Sequence, residues 1–245
     1  MATALPSPPP LNLLLERDLV ALFCDFDGTL VEIAPTPDDI VVPPGLVGKL
    51  HALADRIGGR MGIVSGRGIE DLEGHTGPLV LYRAGSHGAS RLRPDGSRIG
   101  EVPEGLPESC IGELKVFSEA NGLDYECKPH GGALHFRADF SLGELALAKA
   151  QALAQTHGLA VKRGKGVVEL VRPGANKGAA THALLGESAF AGSLPVFIGD
   201  DLTDEDGFAA ARDHGGFGIV VGDRPSTNAR YRLETVEAVR RWLEL

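Results

Sequence analysis

Leu19-Val20-Ala21-Leu22-Phe23-Cys24-Asp25-Phe26-Asp27-Gly28-Thr29-Leu30 is the stretch whose reading decides the fold. Its apolar run breaks at Asp25, the pattern of a buried parallel strand that gives way to a polar turn at its carboxyl end. Ligands of open α/β sheets bind at such ends. Alternation along a strand sends Asp25 and Asp27 to one side and Phe26 into the packing. Two acids side by side repel unless a cation lies between them, so a metal site with one carboxylate left for chemistry accounts for the pair. A plain strand followed by a turn would also use Asp, Gly and Thr.

Working outward, the same rhythm recurs. Residues 31–44 are a Pro- and Asp-rich loop, and Leu46, Leu50, Leu53 and Ile57 then fall at helical spacing over 45–57. Residues 59–64 form a short apolar strand that runs into Ser65-Gly66-Arg67-Gly68, with a helix from 69. Residues 79–84 form another, ending in Gly85-Ser86-His87-Gly88. Strand, glycine turn and helix in succession are the units of a βαβ fold. Ser65 fits either an N-cap or a phosphate-holding hydroxyl at a helix N-terminus. His87, on its own, reads as a turn histidine.

From about residue 102 the pattern changes. A helix over 107–121, a hairpin of 124–128 with 132–137, a helix over 142–157 and a strand pair of 160–163 with 167–171 make an α+β unit. The expected architecture is therefore α/β: a Rossmann-like parallel-sheet core over 18–103 and 172–245, with an inserted α+β cap over 104–171. Residues 1–10 hold four prolines and no lysine or arginine, unlike a secretory leader, and 1–17 is read as a flexible N-terminal arm.

The 245 residues are 43% hydrophobic and 23% charged, as in a soluble globular protein. A net charge of -9 argues against nucleic acid or an anionic membrane surface as principal partner. An anionic substrate then needs local cations or a metal. Cys24, Cys110 and Cys127 have neither metal-ligand spacing nor the even number of a disulfide framework, which fits a reducing cytoplasm. No run reaches the length of a membrane span.

Two late segments complete the constellation. Arg172-Pro173-Gly174-Ala175-Asn176-Lys177-Gly178 puts Lys177 in the first turn of a helix, against the helix dipole, which points to an anion nearby. Leu194-Pro195-Val196-Phe197-Ile198-Gly199-Asp200-Asp201 is a second apolar strand ending in acids. Thr203, Asp204, Glu205 and Asp206 read as a helix cap with an acidic first turn. Polar groups at four strand or helix ends on one sheet edge are explained together by phosphoryl transfer through a carboxylate nucleophile. In that scheme Asp25 attacks phosphorus, and Asp25, Asp27 and Asp200 hold a divalent cation, for which Mg2+ suits an all-oxygen site. Ser65 and Lys177 hold the phosphoryl oxygens, and Asp27 protonates the leaving group and then activates water.

Asp25-Phe26-Asp27-Gly28-Thr29, Ser65, Lys177 and Gly199-Asp200-Asp201 resemble, in order, the four motifs of the haloacid dehalogenase superfamily. Within it the chain is similar to the trehalose-6-phosphate phosphatase family. The similarity lies in Ser65-Gly66-Arg67, Gly85-Ser86-His87-Gly88, Glu126-Cys127-Lys128, His135-Phe136-Arg137, Gly164-Lys165-Gly166 with Glu169, and Gly199-Asp200-Asp201-Leu202-Thr203-Asp204-Glu205. The resemblance implies a Mg2+-dependent phosphatase that acts on a phosphorylated disaccharide, and a monomeric, cytoplasmic protein is expected. It also implies Asp201 and Asp204 as supporting residues and Arg67, His87, Glu126, Lys128, Glu169 and Asn176 as substrate contacts. A phosphatase of another sugar phosphate, such as sucrose phosphate or mannosyl-phosphoglycerate, would share the core residues. A phospho-accepting receiver-like domain would need neither Asp27 as acid nor a cap.

Overall fold

In the computed structural model, residues 5–101, 104–128, 130–164 and 166–245 are described. Lys165, in the turn singled out above, lies outside them, as do residues 1–4. The chain divides into two units, Met1–Glu101 with Asn176–Leu245, and Val102–Ala175. The second is wider at both ends than the expected 104–171.

The first unit opens with helix α1 (Leu11–Leu15), followed by β1 (Val20–Cys24), α2 (Leu46–Arg56), β2 (Met61–Val64), α3 (Ile69–Thr76), β3 (Tyr82–Gly85) and β4 (Ser90–Leu92). The second unit contributes α4 (Glu108–Asn121), β5 (Asp124–Lys128), β6 (Gly131–His135), α5 (Gly143–His157), β7 (Ala160–Gly164) and β8 (Val167–Val171). The chain then returns to the first unit with α6 (Lys177–Leu185), β9 (Leu194–Gly199), α7 (Asp204–Asp213), β10 (Phe217–Val221), β11 (Tyr231–Leu233) and α8 (Val236–Trp242).

The core sheet has the order β11-β10-β9-β1-β2-β3-β4. Only β4 runs antiparallel to its neighbour. β1 sits in the middle because both its faces are apolar. Leu22 and Cys24 pack with Leu50 and Leu53 of α2, while Ala21 and Phe23 pack with Leu184 of α6 and Phe208 of α7. Such a strand is stable only between two helical layers. Burying Phe23 completely contributes about 1.5–3 kcal/mol.

The expected flexible arm is different in the structure. Leu11 and Leu14, three apart on α1, join the core cluster beneath β1. The prolines of the preceding segment lack amide donors but keep their carbonyls. Pro6 O accepts from the Arg232 amide at 3.0 Å, and Pro9 O from the Trp242 indole at 2.8 Å. Proline content alone therefore misread residues 5–17 as unattached.

The second unit is an antiparallel sheet, β5-β6-β8-β7. One face carries Leu134, Val168 and Leu170 against Cys110 and Leu114 of α4 and Leu147 and Leu153 of α5. Alternation turns Glu126, Lys128, His135 and Glu169 to the opposite face.

Candidate active site

β9, β1, β2 and β3 lie side by side and parallel, so the residues after each converge on one edge. Asp25, the first residue beyond β1, is 5% exposed. Lys177, the first residue of α6, places Nζ 2.8 Å from Asp25 Oδ1 and 2.7 Å from Asp204 Oδ1. The anion that its helix position called for is thus a pair of carboxylates. Asp204 is fully buried, and its Oδ2 accepts from the amides of Asp200 (3.0 Å) and Asp201 (2.8 Å). Asp204 does stand in the acidic first turn of α7, as its position suggested, but it is buried there and paired with Lys177. Residues 200–203 bend back over it, so it ties the lysine to the loop after β9.

Burial raises the Asp25 carboxyl well above its ordinary range. Asp204 and Asp200 add to the rise and Lys177 opposes it. Burial works against the Lys177 ammonium, but Asp204 and Asp25 outweigh it and hold the lysine above its usual value. Asp200 is pushed up to about 7, first by burial and then by Asp204, against the pull of Lys177 and the Thr29 hydroxyl.

Oxygens of Asp25, Asp200 and Asp204 lie within 4.8 Å of one another. Buried oxygen donors that resist ionising together are the donor set a small hard divalent cation relieves, so these residues fit such an ion. The close approach depends on Gly28. Its φ is 77°, and a Cβ there would fall on the Asp200 carboxylate. Thr29 Oγ1 also donates to Asp200 Oδ1 at 3.3 Å.

Asp27 is the correction. It was expected to share the cation with Asp25 and Asp200, but its carboxylate is instead forked by Arg67, with Nε to Oδ2 at 2.7 Å and Nη2 to Oδ1 at 2.9 Å. β1 stops at Cys24, and the Thr29 and Leu30 amides turn back onto Phe26 O, so strand alternation no longer governs where Asp27 faces.

Ser65, fully buried after β2, accepts from the Arg67 amide at 3.1 Å. The N-cap of α3 is Gly68, so Ser65 shapes the turn and does not cap the helix. That turn is laced to the one after β3: the His87 amide donates to Ser65 O (2.9 Å) and the Ser86 amide to Arg67 O (2.6 Å). Ser86 and His87 both adopt left-handed φ, 51° and 55°, and the His87 ring covers Gly66 so closely that a Cβ there would meet Cε1 at 2.8 Å. Asn176 caps α6, its Oδ1 accepting from the Ala179 amide at 2.6 Å.

The sequence reading passed over Arg224. Its Nη2 donates to Asp200 O at 2.7 Å and lies 3.8 Å from Asp201 Oδ1, so it braces the acidic loop from beyond β10. No local pattern marks that arginine.

On the face of the second unit's sheet turned away from α4 and α5, Lys128 pairs with Glu169 and lies 3.7 Å from Glu126. His135 Nε2 meets Glu126 Oε2 at 2.9 Å. The motif around His135 does not by itself assign the imidazole a partner. With residues 129 and 130 alone between β5 and β6, Lys128 faces Gly131 and Glu126 faces Ala133, which brings His135 diagonally to Glu126. The length of that connection was the available signal.

The sequence matches the trehalose-phosphatase family model over residues 23–237. The chain belongs to this family. It is 37% identical over 228 residues to the trehalose-6-phosphate phosphatase of Escherichia coli (strain K12), covering 92% of this chain and 85% of that one. The C-terminal domain of a Candida albicans trehalose-6-phosphate phosphatase matches over 100% of both chains, with a TM-score of 0.80 and 21% identity. A haloalkanoate (HAD) superfamily phosphatase from Bacteroides thetaiotaomicron matches with a TM-score of 0.64 and 15% identity over 92% of this chain and 93% of that one. These two solved structures speak for the fold alone, which is of the haloacid dehalogenase type. The family member described here is a phosphatase with that core and a separate antiparallel sheet.

Proposed function

We propose that the protein hydrolyses trehalose 6-phosphate to trehalose and phosphate through an aspartyl-phosphate at Asp25. The observation that carries this is the buried Asp25–Lys177–Asp204 cluster beside Asp200, inside a chain of the trehalose-phosphatase family. An Asp25 oxygen attacks phosphorus and the bond from phosphorus to the sugar oxygen breaks. The departing alkoxide takes a proton from the Asp27 carboxyl. The Asp27 carboxylate then takes a proton from water, whose oxygen attacks the same phosphorus, releasing phosphate and restoring Asp25. The Ser65 hydroxyl and the Lys177 ammonium hold phosphoryl oxygens as charge shifts onto them. Asp25 and Asp200, with Asp204 behind them, would hold Mg2+, which when bound supplies positive charge to offset the clustered acids and the phosphate.

We assign recognition of the sugar to Glu126, Lys128 and Glu169, whose ionised heads line one sheet face and match hydroxyl groups. Every group invoked comes from one chain, so a single copy suffices. The free cysteines fit a reducing cytoplasm.

Phosphate release from trehalose 6-phosphate, sucrose 6-phosphate and glucose 6-phosphate, with and without Mg2+, tests this reading. A preference of tenfold or more for the trehalose ester, dependent on Mg2+, is expected, and equal rates on all three would remove the substrate assignment. Asp25→Asn is expected to lose roughly four orders of magnitude or more in turnover while remaining folded. A variant that kept its activity would remove the nucleophile.

A further inference from the structure

We propose that Arg67 is a positioning residue for the Asp27 carboxylate and not a contact of the substrate. This rests on the acid–base role given to Asp27 above.

Arg67 is bonded on all sides. Besides the fork to Asp27, Nη2 donates to Pro37 O at 2.8 Å and Nη1 to Asp71 Oδ2 at 2.9 Å. Four of the five N–H donors of a guanidinium are thereby committed, and the side chain is only 9% exposed. Its main chain is held as well, by Ser65 Oγ and the Ser86 amide. Burial disfavours its charge, but the bonds to Asp27 and Asp71 outweigh that and raise it above its ordinary value. A guanidinium in this state has little left to offer a phosphate.

Asp27 is in the opposite condition. It stands on a turn beyond the strand end, with 30% of its side chain exposed. A proton donor must stay within hydrogen-bond reach of the leaving oxygen, and a carboxylate on a turn has two side-chain torsions to fix. A two-bond fork fixes both at once, which a lysine or a single amide cannot do. The loop at Pro37 and helix α3 through Asp71 anchor the fork, so three chain segments set the orientation of one carboxylate.

The test separates this role from substrate contact by leaving group. Phenyl phosphate and p-nitrophenyl phosphate are of similar size, but phenolate is the more basic leaving group and depends more on protonation. The readout is kcat/KM, which reports steps through the first phosphoryl transfer, for both esters and for trehalose 6-phosphate with Mg2+ present. For Arg67→Gln the loss on phenyl phosphate is expected to exceed that on p-nitrophenyl phosphate by about fivefold or more, with a loss of roughly 10–100-fold on the sugar ester. Arg67→Lys should recover little. In an Asp27→Asn background, Arg67→Gln should change the rates by less than about twofold.

Asp71→Asn, which loosens the anchor from an exposed position, should show the same leaving-group trend more weakly and covers the case in which Arg67→Gln does not fold. Equal losses on the two aryl esters, or losses that multiply with those of Asp27→Asn, would overturn the proposal. Asp27→Asn that retained full turnover of the sugar ester would overturn the acid–base assignment itself. A damaging Asp27→Asn beside a silent Arg67→Gln would overturn the role of Arg67 alone.

Discussion

Lys177 and Lys128 are each held between two carboxylates, one in each unit of the molecule. The side chain of Lys177 is 2% exposed, with the side chains of Asp25 at 7% and Asp204 at 0%. Lys128 is 22% exposed, with Glu126 at 48% and Glu169 at 13%. For both lysines burial works against the charge and the acids outweigh it. What differs is how much water remains to compensate if one partner is removed. A buried triad stripped of its cation keeps two desolvated acids, whereas a partly exposed one can hand some of its charge to solvent. The first arrangement suits chemistry that needs one fixed geometry, and the second suits recognition of a hydroxylated ligand that replaces water.

That contrast can be broken most directly at Lys177. Lys177→Met is expected to lower turnover by roughly three orders of magnitude or more and to destabilise the fold by about 3–5 kcal/mol in urea melts. Because the folded value of Lys177 is raised, its contribution is complete below the ordinary lysine value and is lost only as pH rises through the higher folded one. The stability deficit of the variant should therefore be full at neutral pH. An equal deficit in Lys128→Met would erase the distinction between the two sites.

A smaller, selective effect is expected at Glu169. Glu169→Ala should cost about 10–100-fold in kcat/KM on the disaccharide phosphate and less than threefold on p-nitrophenyl phosphate, with stability changed by about 1 kcal/mol or less. Equal kinetic losses on both esters would mean that Glu169 does not read the sugar.

The mildest effect is thermal. With Asp200 raised from 3.8 to about 7, the ion-free protein has that group's full contribution below its ordinary carboxylate value and loses it as pH rises through about 7. A divalent cation offsets the loss, so the rise in Tm on adding Mg2+, roughly a few degrees, should be larger at pH 8 than at pH 6. A Mg2+ effect independent of pH over that range would remove Asp200 from the cation site.

Much of the architecture was legible in the residues. Each apolar run that ends in a polar glycine turn became a parallel strand delivering side chains to one edge, because a strand buried on both faces has no other way to be written. The change of pattern near residue 102 marked a second unit for a similar reason: alternating strands need helices on one face only. The N-terminal segment was misread because proline content reports a lack of amide donors, and nothing in residues 5–17 shows that a distant amide and an indole N–H will use their carbonyls. The first-turn place of Asp204 was legible, but its burial was not, because helix position reports the local dipole and not the burial that the loop at residues 200–203 imposes.

By itself the sequence determined that the segments after β1, β2, β3 and β9 reach the carboxyl edge of the core sheet, since hydrophobic periodicity and turn chemistry act over a few residues. Only the tertiary structure decided how their side chains pair. Asp25 goes to Lys177 and Asp204, and Asp27 goes to Arg67, forty positions along the chain. Pairing depends on where strands stop and how loops from distant segments close over them, and the free energy that selects among partners is the cost of leaving a buried charge unmatched. That cost exists only once the chain has folded.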